Sequence, residues 1–184
     1  MTSLFDLKDK NAIITGSSRG IGKAIAYRMA EHGAKVIITS RKIDACENVA
    51  EEINSTFGKD TATAISCNIS DKEQLKNLYV KSKEFCGSIT TLVCNAAVNP
   101  YFGPSNNIPD EAFEKIMKSN VQSNFWLCNE ILPDMVKIKS GSIIIISSIA
   151  GLHGSSMLGA YAISKAADSP VSYTHLTLPT TYGV

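Results

Sequence analysis

Long apolar runs, paired cysteines and an excess of charge of either sign are all missing from this chain of 184 residues. One of its longest uncharged stretches, 140–164, is interrupted by glycines and serines and is too polar to span a bilayer. The first ten residues, MTSLFDLKDK, carry charges where an export signal needs an apolar core, so a soluble chain without a secretory leader is expected. Lys and Arg number 18 against 17 Asp and Glu, a net charge of +1. That balance leaves no electrostatic footprint for nucleic acid or an anionic membrane, and neither partner is expected. The five cysteines (Cys46, Cys67, Cys86, Cys94 and Cys128) are odd in number, widely spaced and without a CxxC pair. They read as reduced thiols of a cytoplasmic protein, and with only three scattered histidines no metal site is expected. What remains is ordinary: 44% apolar and 19% charged residues, the composition of a globular domain. A chain of this size buries roughly 70% of its unfolded surface, enough for a core without staples.

Apolar runs rich in β-branched residues recur at 12–15, 36–39, 61–65, 92–94 and 143–146, and each is expected to be a strand buried on both faces. Between them lie stretches of helical spacing, marked by Ile21, Ile25, Arg28 and Met29 in the first and covering 43–57, 75–85 and 113–136 thereafter. Strand and helix alternate, which predicts an α/β fold: a doubly wound parallel sheet with right-handed crossovers. Gly33 stands where the C-terminal cap of the first helix belongs.

Residues 171–184 (VSYTHLTLPTTYGV) differ in kind, with no Lys, Arg, Asp or Glu, four threonines, and a proline at 179 that blocks any helix. Written back into codons as GTC TCT TAT ACA CAT CTG ACG CTG CCG ACG A, the stretch matches a common transposase-based sequencing adapter. After one barcode of arbitrary bases that adapter continues GTG TAG, valine and then stop. Residues 170–184 are therefore read as a translated, non-native tail, and 1–169 as the single native domain.

The first strand runs through Thr15-Gly16-Ser17-Ser18-Arg19-Gly20-Ile21-Gly22 into a helix. The spacing is not a strict GxGxxG, yet it supplies glycines that let the backbone approach a pyrophosphate and a helix N-terminus that favours negative charge. A mere tight turn with close strand–helix packing is the bland reading. The second strand ends in Arg41 and Lys42, where an enzyme selecting NAD would place an acid for the ribose 2′-hydroxyl. These cations, with Arg19, suit a 2′-phosphate, so NADP is favoured over NAD; a solvated basic loop is the alternative.

Tyr161 and Lys165 lie four residues apart, on one helix face, and a neighbouring ammonium lowers a phenol pKa toward the range useful for proton exchange near neutrality. Tyr79 and Lys83 repeat the spacing, but in a lysine-rich helix expected to face solvent. Ser148, thirteen residues before Tyr161, could donate to a substrate carbonyl or merely cap a strand end. Asn95 closes the fourth strand, and Asn120 inside a helical segment can mark an irregularity that frees a carbonyl for water or for Lys165. His153, Tyr101, Phe102 and Met157 are candidate pocket residues by loop position alone.

In order and spacing, the TGxxxGIG turn, Asn95-Ala96-Ala97, Ser119-Asn120-Val121, IIISSIAG and YAISK resemble the short-chain dehydrogenase/reductase family over residues 6–168. The stretch NAAVNPYFGP is similar to its carbonyl-reductase and retinol-dehydrogenase-like branch. The resemblance implies a Rossmann-type fold, Tyr161 as general acid/base, and Lys165 lowering its pKa and binding the nicotinamide ribose. It further implies Ser148 polarising the carbonyl and Asn120 anchoring a relay water. Gly16, Ser18, Arg19, Gly20, Ile21, Gly22, Asn95, Tyr161 and Lys165 would hold the cofactor, with Arg41 at the 2′-phosphate. Where the family usually has an Asp against adenine this chain has Asn68, whose amide can serve the same bond. The last strands, the substrate loop and most of the catalytic helix are expected to be missing.

The function so implied is an NADP(H)-dependent oxidoreductase interconverting a carbonyl and a secondary alcohol of a small-molecule substrate, its whole-length form a homo-oligomer. A non-catalytic dinucleotide-binding module, or an inactive fragment of such an enzyme, is the alternative.

Overall fold

Each apolar run becomes a parallel strand and each periodic stretch a helix, in the order β1 (Asn11–Thr15), α1 (Gly20–Glu31), β2 (Lys35–Ser40), α2 (Ile43–Phe57), β3 (Ala62–Ser66), α3 (Lys72–Cys86) and β4 (Thr91–Cys94). There follow α4 (Asp110–Met117), α5 (Ser123–Ile138), β5 (Ser142–Ile145), α6 (Gly159–Ala166) and α7 (Asp168–Leu176). The computed structural model of the chain describes residues 4–176, with side chains to residue 172. The strands form one sheet in the order β3-β2-β1-β4-β5, all pairs parallel. The chain winds outward from β1 through β2 to β3, then returns to the other side of β1 with β4. The crevice at the carboxyl ends of β1 and β4 is thus the switch point at which such sheets bind ligands.

Strand alternation divides the core into two layers. Ala12, Ile14, Val36, Ile38 and Val93 face α1 and α2, where Ala26, Ala30, Val49 and Ile53 meet them. Ile13, Ile37, Leu92 and Cys94 face α3 and α5, where Leu75, Leu78, Leu127 and Ile131 close the other layer. Gly33, at a φ of +97°, ends α1 as its spacing predicts, its N–H donating to the Ala30 carbonyl at 2.9 Å.

Two expectations need correction. β5 is not buried on both faces: it is an edge strand, and Ile144, on the α1/α2 side of the sheet, is 46% exposed because neither helix reaches that far. Tyr79 and Lys83 do not simply face solvent; both side chains bond the Asp134 carboxylate, tying α3 to α5, with the Lys83 ammonium 5.3 Å from the Tyr79 ring centre. Separately, residues 170–176, which begin the stretch read as a tail, are helical and continue α7. Pro170 lies in its first turn, where a missing N–H costs nothing, and Val171 is buried. The remainder of that tail, 177–184, lies outside the described residues. Among the described residues no helix is long and apolar enough to cross a membrane.

Candidate active site

The glycine turn after β1 is built from requirements that differ residue by residue. Gly16 and Gly20 sit at φ of +67° and +57°, backbone that a side chain disfavours. Gly22 is needed for space: a Cβ there would fall 2.5 Å from the Gly16 carbonyl oxygen and 2.6 Å from Asn95 Nδ2. Side chains pin the turn from behind. Ser17 Oγ donates to the Ile14 carbonyl at 2.6 Å and accepts from the Thr39 N–H at 2.9 Å. Thr15 Oγ1 accepts from the N–H groups of Asn95 and Ala96, each at 3.0 Å, and Asn95 Nδ2 donates to the Thr15 carbonyl at 2.8 Å. α1 starts with no side-chain cap, so its first N–H groups have no side-chain acceptor, the arrangement that receives a phosphate.

A cleft of about 1150 Å³ opens over the carboxyl ends of β1 to β4. Gly16, Ser18, Arg19, Gly20 and Ile21 line it, as do Arg41, Asn68 and Asn95; Gly22 lies beneath it. Arg41 and Lys42 are exposed at its β2 end, and neither they nor Arg19 is in an ion pair among the described residues. Asn68 shapes its own loop: Oδ1 accepts from the Ser70 N–H at 3.2 Å, and its N–H donates to Gln74 Oε1 at 2.8 Å. Glycines where a Cβ would intrude and an uncapped helix start together fit a dinucleotide.

The residues expected to do chemistry are arranged less simply. Asn120 is fully buried in a π-helical turn, Lys118–Gln122, between α4 and α5. Its side chain accepts from the Val98 N–H at 2.8 Å, donates to the Val98 carbonyl at 3.0 Å and reaches Ser164 Oγ on α6 at 3.0 Å. The irregularity foreseen at Asn120 is present, but its carbonyl is taken by Asn124 Nδ2 at 2.8 Å rather than by Lys165. Ser148 caps the short 3-10 turn Ile149–Gly151, its Oγ accepting from the Ala150 N–H at 3.2 Å, so the strand-end capping role is realised and the hydroxyl proton stays available.

Tyr161 does not line the large cleft. It borders a small hollow with Asn99, Tyr101, Ser105, Ile108 and Leu158, and its hydroxyl makes no hydrogen bond among the described residues. Of the loop candidates, Tyr101 shares this hollow, whereas Phe102 and His153 are exposed and Met157 contributes its carbonyl to the Gly103 N–H at 3.0 Å.

Lys165 departs furthest from expectation. It is buried, and its Nζ donates to the Ile146 carbonyl at 2.7 Å and to Asp168 Oδ2 at 3.2 Å, not to Tyr161 and not into the cleft. Asp168 Oδ1 in turn receives Asn124 Nδ2 at 3.3 Å. Burial pushes the Asp168 carboxyl above its ordinary range, against the opposing pull of Lys165 and Asn124. Asp168 and Asn124 were not among the sequence candidates, although their spacings, three residues after Lys165 and four after Asn120, are those of contacting positions on a helix.

Comparison with known proteins agrees with the fold. A family profile described as short chain dehydrogenase matches residues 10–173. Dehydrogenase/reductase SDR family member 4 of Bos taurus is 36% identical over 162 residues, 88% of this chain and 57% of that protein. Dehydrogenase/reductase SDR family member 2, mitochondrial, of Homo sapiens is 38% identical over 162 residues, 88% of this chain and 56% of that protein. A solved 7α-hydroxysteroid dehydrogenase, complexed with NADH and 7-oxo glycochenodeoxycholic acid, superposes with a TM-score of 0.85 at 34% identity, covering 91% of this chain and 64% of that one. The chain thus spans less than two thirds of the length of each of these proteins.

Proposed function

Because the chain belongs to the short-chain dehydrogenase family, we propose that it is the cofactor-binding and catalytic part of an NADP(H)-dependent oxidoreductase that interconverts a carbonyl and a secondary alcohol. The observation that carries the cofactor choice is the group of cations Arg41, Lys42 and Arg19, without ion pairs among the described residues, on a cleft otherwise built from glycine turn and strand ends. An NAD site would need an acceptor for the ribose 2′-hydroxyl at the end of β2, and Arg41 cannot accept. Asn68 offers its amide at the adenine end. Asn95 acts mainly by locking the glycine turn, since its Nδ2 is committed to the Thr15 carbonyl.

When bound, the dinucleotide supplies the two-electron donor or acceptor at its nicotinamide ring. The chain's own task is the proton. Tyr161, bordering the small hollow, is the general acid/base; Ser148 donates a hydrogen bond from its hydroxyl to the substrate oxygen. Lys165 assists from the same helix once its ammonium turns outward, and Asn120 fixes α6 against the loop after β4. In a chain extended to the relatives' length, Tyr161→Phe is expected to reduce turnover of a carbonyl substrate by about 10²–10⁴-fold while circular dichroism stays unchanged. Turnover at the unmodified rate would refute the role. Arg41→Ala is expected to weaken NADPH binding by about tenfold, roughly one charge-assisted hydrogen bond pair, with NADH binding unaffected. An unchanged ratio of the two dissociation constants would refute the 2′-phosphate site.

A second reading applies to the 184 residues by themselves: binding without turnover. It is favoured by Lys165, which is committed to Asp168 and the Ile146 carbonyl, and by the position of Tyr161 outside the main cleft. Pairing of the whole enzyme through α5 and α6, which expose Phe125 and Ile163, belongs to the same proposal, as does a cytoplasmic, thiol-reducing location consistent with five free cysteines. The short non-native tail, beginning near residue 170, remains part of the reading as well.

A further inference from the structure

Lys165 and Asp168 form an ion pair with almost no contact with water: the two side chains are 4% and 2% exposed, and Nζ lies 3.2 Å from Oδ2. The pair straddles the junction of α6 and α7. Its anion is fixed from a third helix, since Asn124 Nδ2 of α5 donates to Asp168 Oδ1. The same Asn124 amide bonds the Asn120 carbonyl, so the carboxylate's position is tied to the π-helical turn. Its cation is fixed from the sheet side, where the Ile146 carbonyl accepts from Nζ at 2.7 Å. The nearby thiol of Cys94 cannot replace the carboxylate as counter-ion: its bond to Cys128 and its burial hold it well above the ordinary thiol range, hence neutral.

From this geometry we infer that Asp168 is a positioning residue that holds the Lys165 ammonium withdrawn from the nucleotide cleft, and that neutralising it releases Lys165 toward the cofactor. A buried ammonium is tolerated only while paired and hydrogen-bonded. Without the Asp168 charge, one carbonyl remains as its partner. The four-carbon stem of lysine lets the charge leave for water without unfolding the helix that carries it. Removing the carboxylate should therefore move the ammonium rather than merely weaken the fold. The inference rests on the reading of Lys165 as a cofactor-binding residue, and the experiment separates the two.

The 184-residue chain is treated under native conditions with an amine-acylating reagent, and the labelling rate of each lysine is followed by mass spectrometry. Lys165 is expected to react at least about tenfold more slowly than exposed Lys42 in the unmodified chain, and at a rate comparable to Lys42 in Asp168→Asn. Asp168→Glu, which keeps the charge, is expected to restore slow labelling. Asp168→Leu, which suits a buried site without hydrogen bonds, serves as a second release variant should Asp168→Asn fail to fold. The proposal is overturned if Lys165 labels as fast as Lys42 in the unmodified chain. It is overturned equally if Lys165 stays protected in a folded release variant, or if neither release variant folds, which would make Asp168 a structural requirement.

NADPH titration by fluorescence then tests the consequence. Asp168→Asn is expected to tighten binding about tenfold, and Lys165→Met in the same background to abolish the gain. If Lys165 is released yet NADPH affinity responds to neither substitution, the cofactor role of Lys165 fails while the withdrawal stands. If Lys165→Met weakens NADPH binding equally with and without the Asp168 charge, the withdrawal fails while the cofactor role stands.

Discussion

At the scale of single residues, side chains with the same expected role separate according to what they touch. Two i,i+4 Tyr–Lys pairs occur in the chain; Tyr79 and Lys83 converge on Asp134, whereas Lys165 turns from Tyr161 to Asp168. The spacing brings two side chains to one helix face, and the nearest anion then decides where the ammonium goes. Asp168 also makes a pH-dependent contribution whose sign follows from its burial. Its native carboxyl titrates above the unfolded value of 3.8, so as pH rises through that interval the unfolded chain releases the proton first. The native state then binds more protons than the unfolded one, and the stability contributed by this group, fully present below 3.8, is lost as pH rises through the native pKa. The melting temperature of the unmodified chain minus that of Asp168→Asn should therefore fall with increasing pH from near 3.8 and then level off. A difference that grows with pH would mean that the ion pair outweighs the burial.

Helices and strands were legible where the apolar period was strong. The five strands and the long helices fall within a few residues of the positions read from β-branched runs and helical spacing, because each is determined by which side must meet the core. The π-helical turn at Lys118–Gln122 was signalled by one asparagine in an unfavourable place, and the structure supplies the reason. Asn120 must reach the backbone of Val98 and the hydroxyl of Ser164 at once, and the local widening of the helix accommodates those bonds. Asn120→Ala would leave the part-buried N–H and carbonyl of Val98 without their partners, a loss of about 1–3 kcal/mol in urea unfolding. A smaller change would indicate that the loop after β4 finds water instead. The capping serine of the short turn after β5 shows the opposite case, a residue whose two roles could not be separated by spacing, since a hydroxyl can accept one bond and donate another.

For the molecule as a whole, the sheet is well covered at its centre and poorly at one edge. Ile144 faces the α1/α2 layer beyond the reach of either helix, and Ile149 and Leu152, in the turn after β5, are 77% and 78% exposed. An open strand edge with apolar neighbours invites pairing between copies, so the 184-residue chain should self-associate as its concentration rises, and Ile144→Lys should suppress this in light-scattering measurements. Equal molar masses for the two across a concentration series would exclude that edge as the contact. Sequence alone determined the α/β class, the parallel order of layers and the identity of the glycine turn, because these follow from local periodicity and from backbone conformations that only glycine adopts readily. It also placed cations after β2, since charge at a strand end needs no long-range contact to be noticed. Tertiary structure alone decided which polar groups are satisfied: that Asn95 is spent on the Thr15 carbonyl, that Asn124 takes the Asn120 carbonyl, and that Lys165 is drawn to Asp168. Hydrogen bonds and buried ion pairs join residues brought together by packing, and their energies depend on burial that no spacing in the chain encodes.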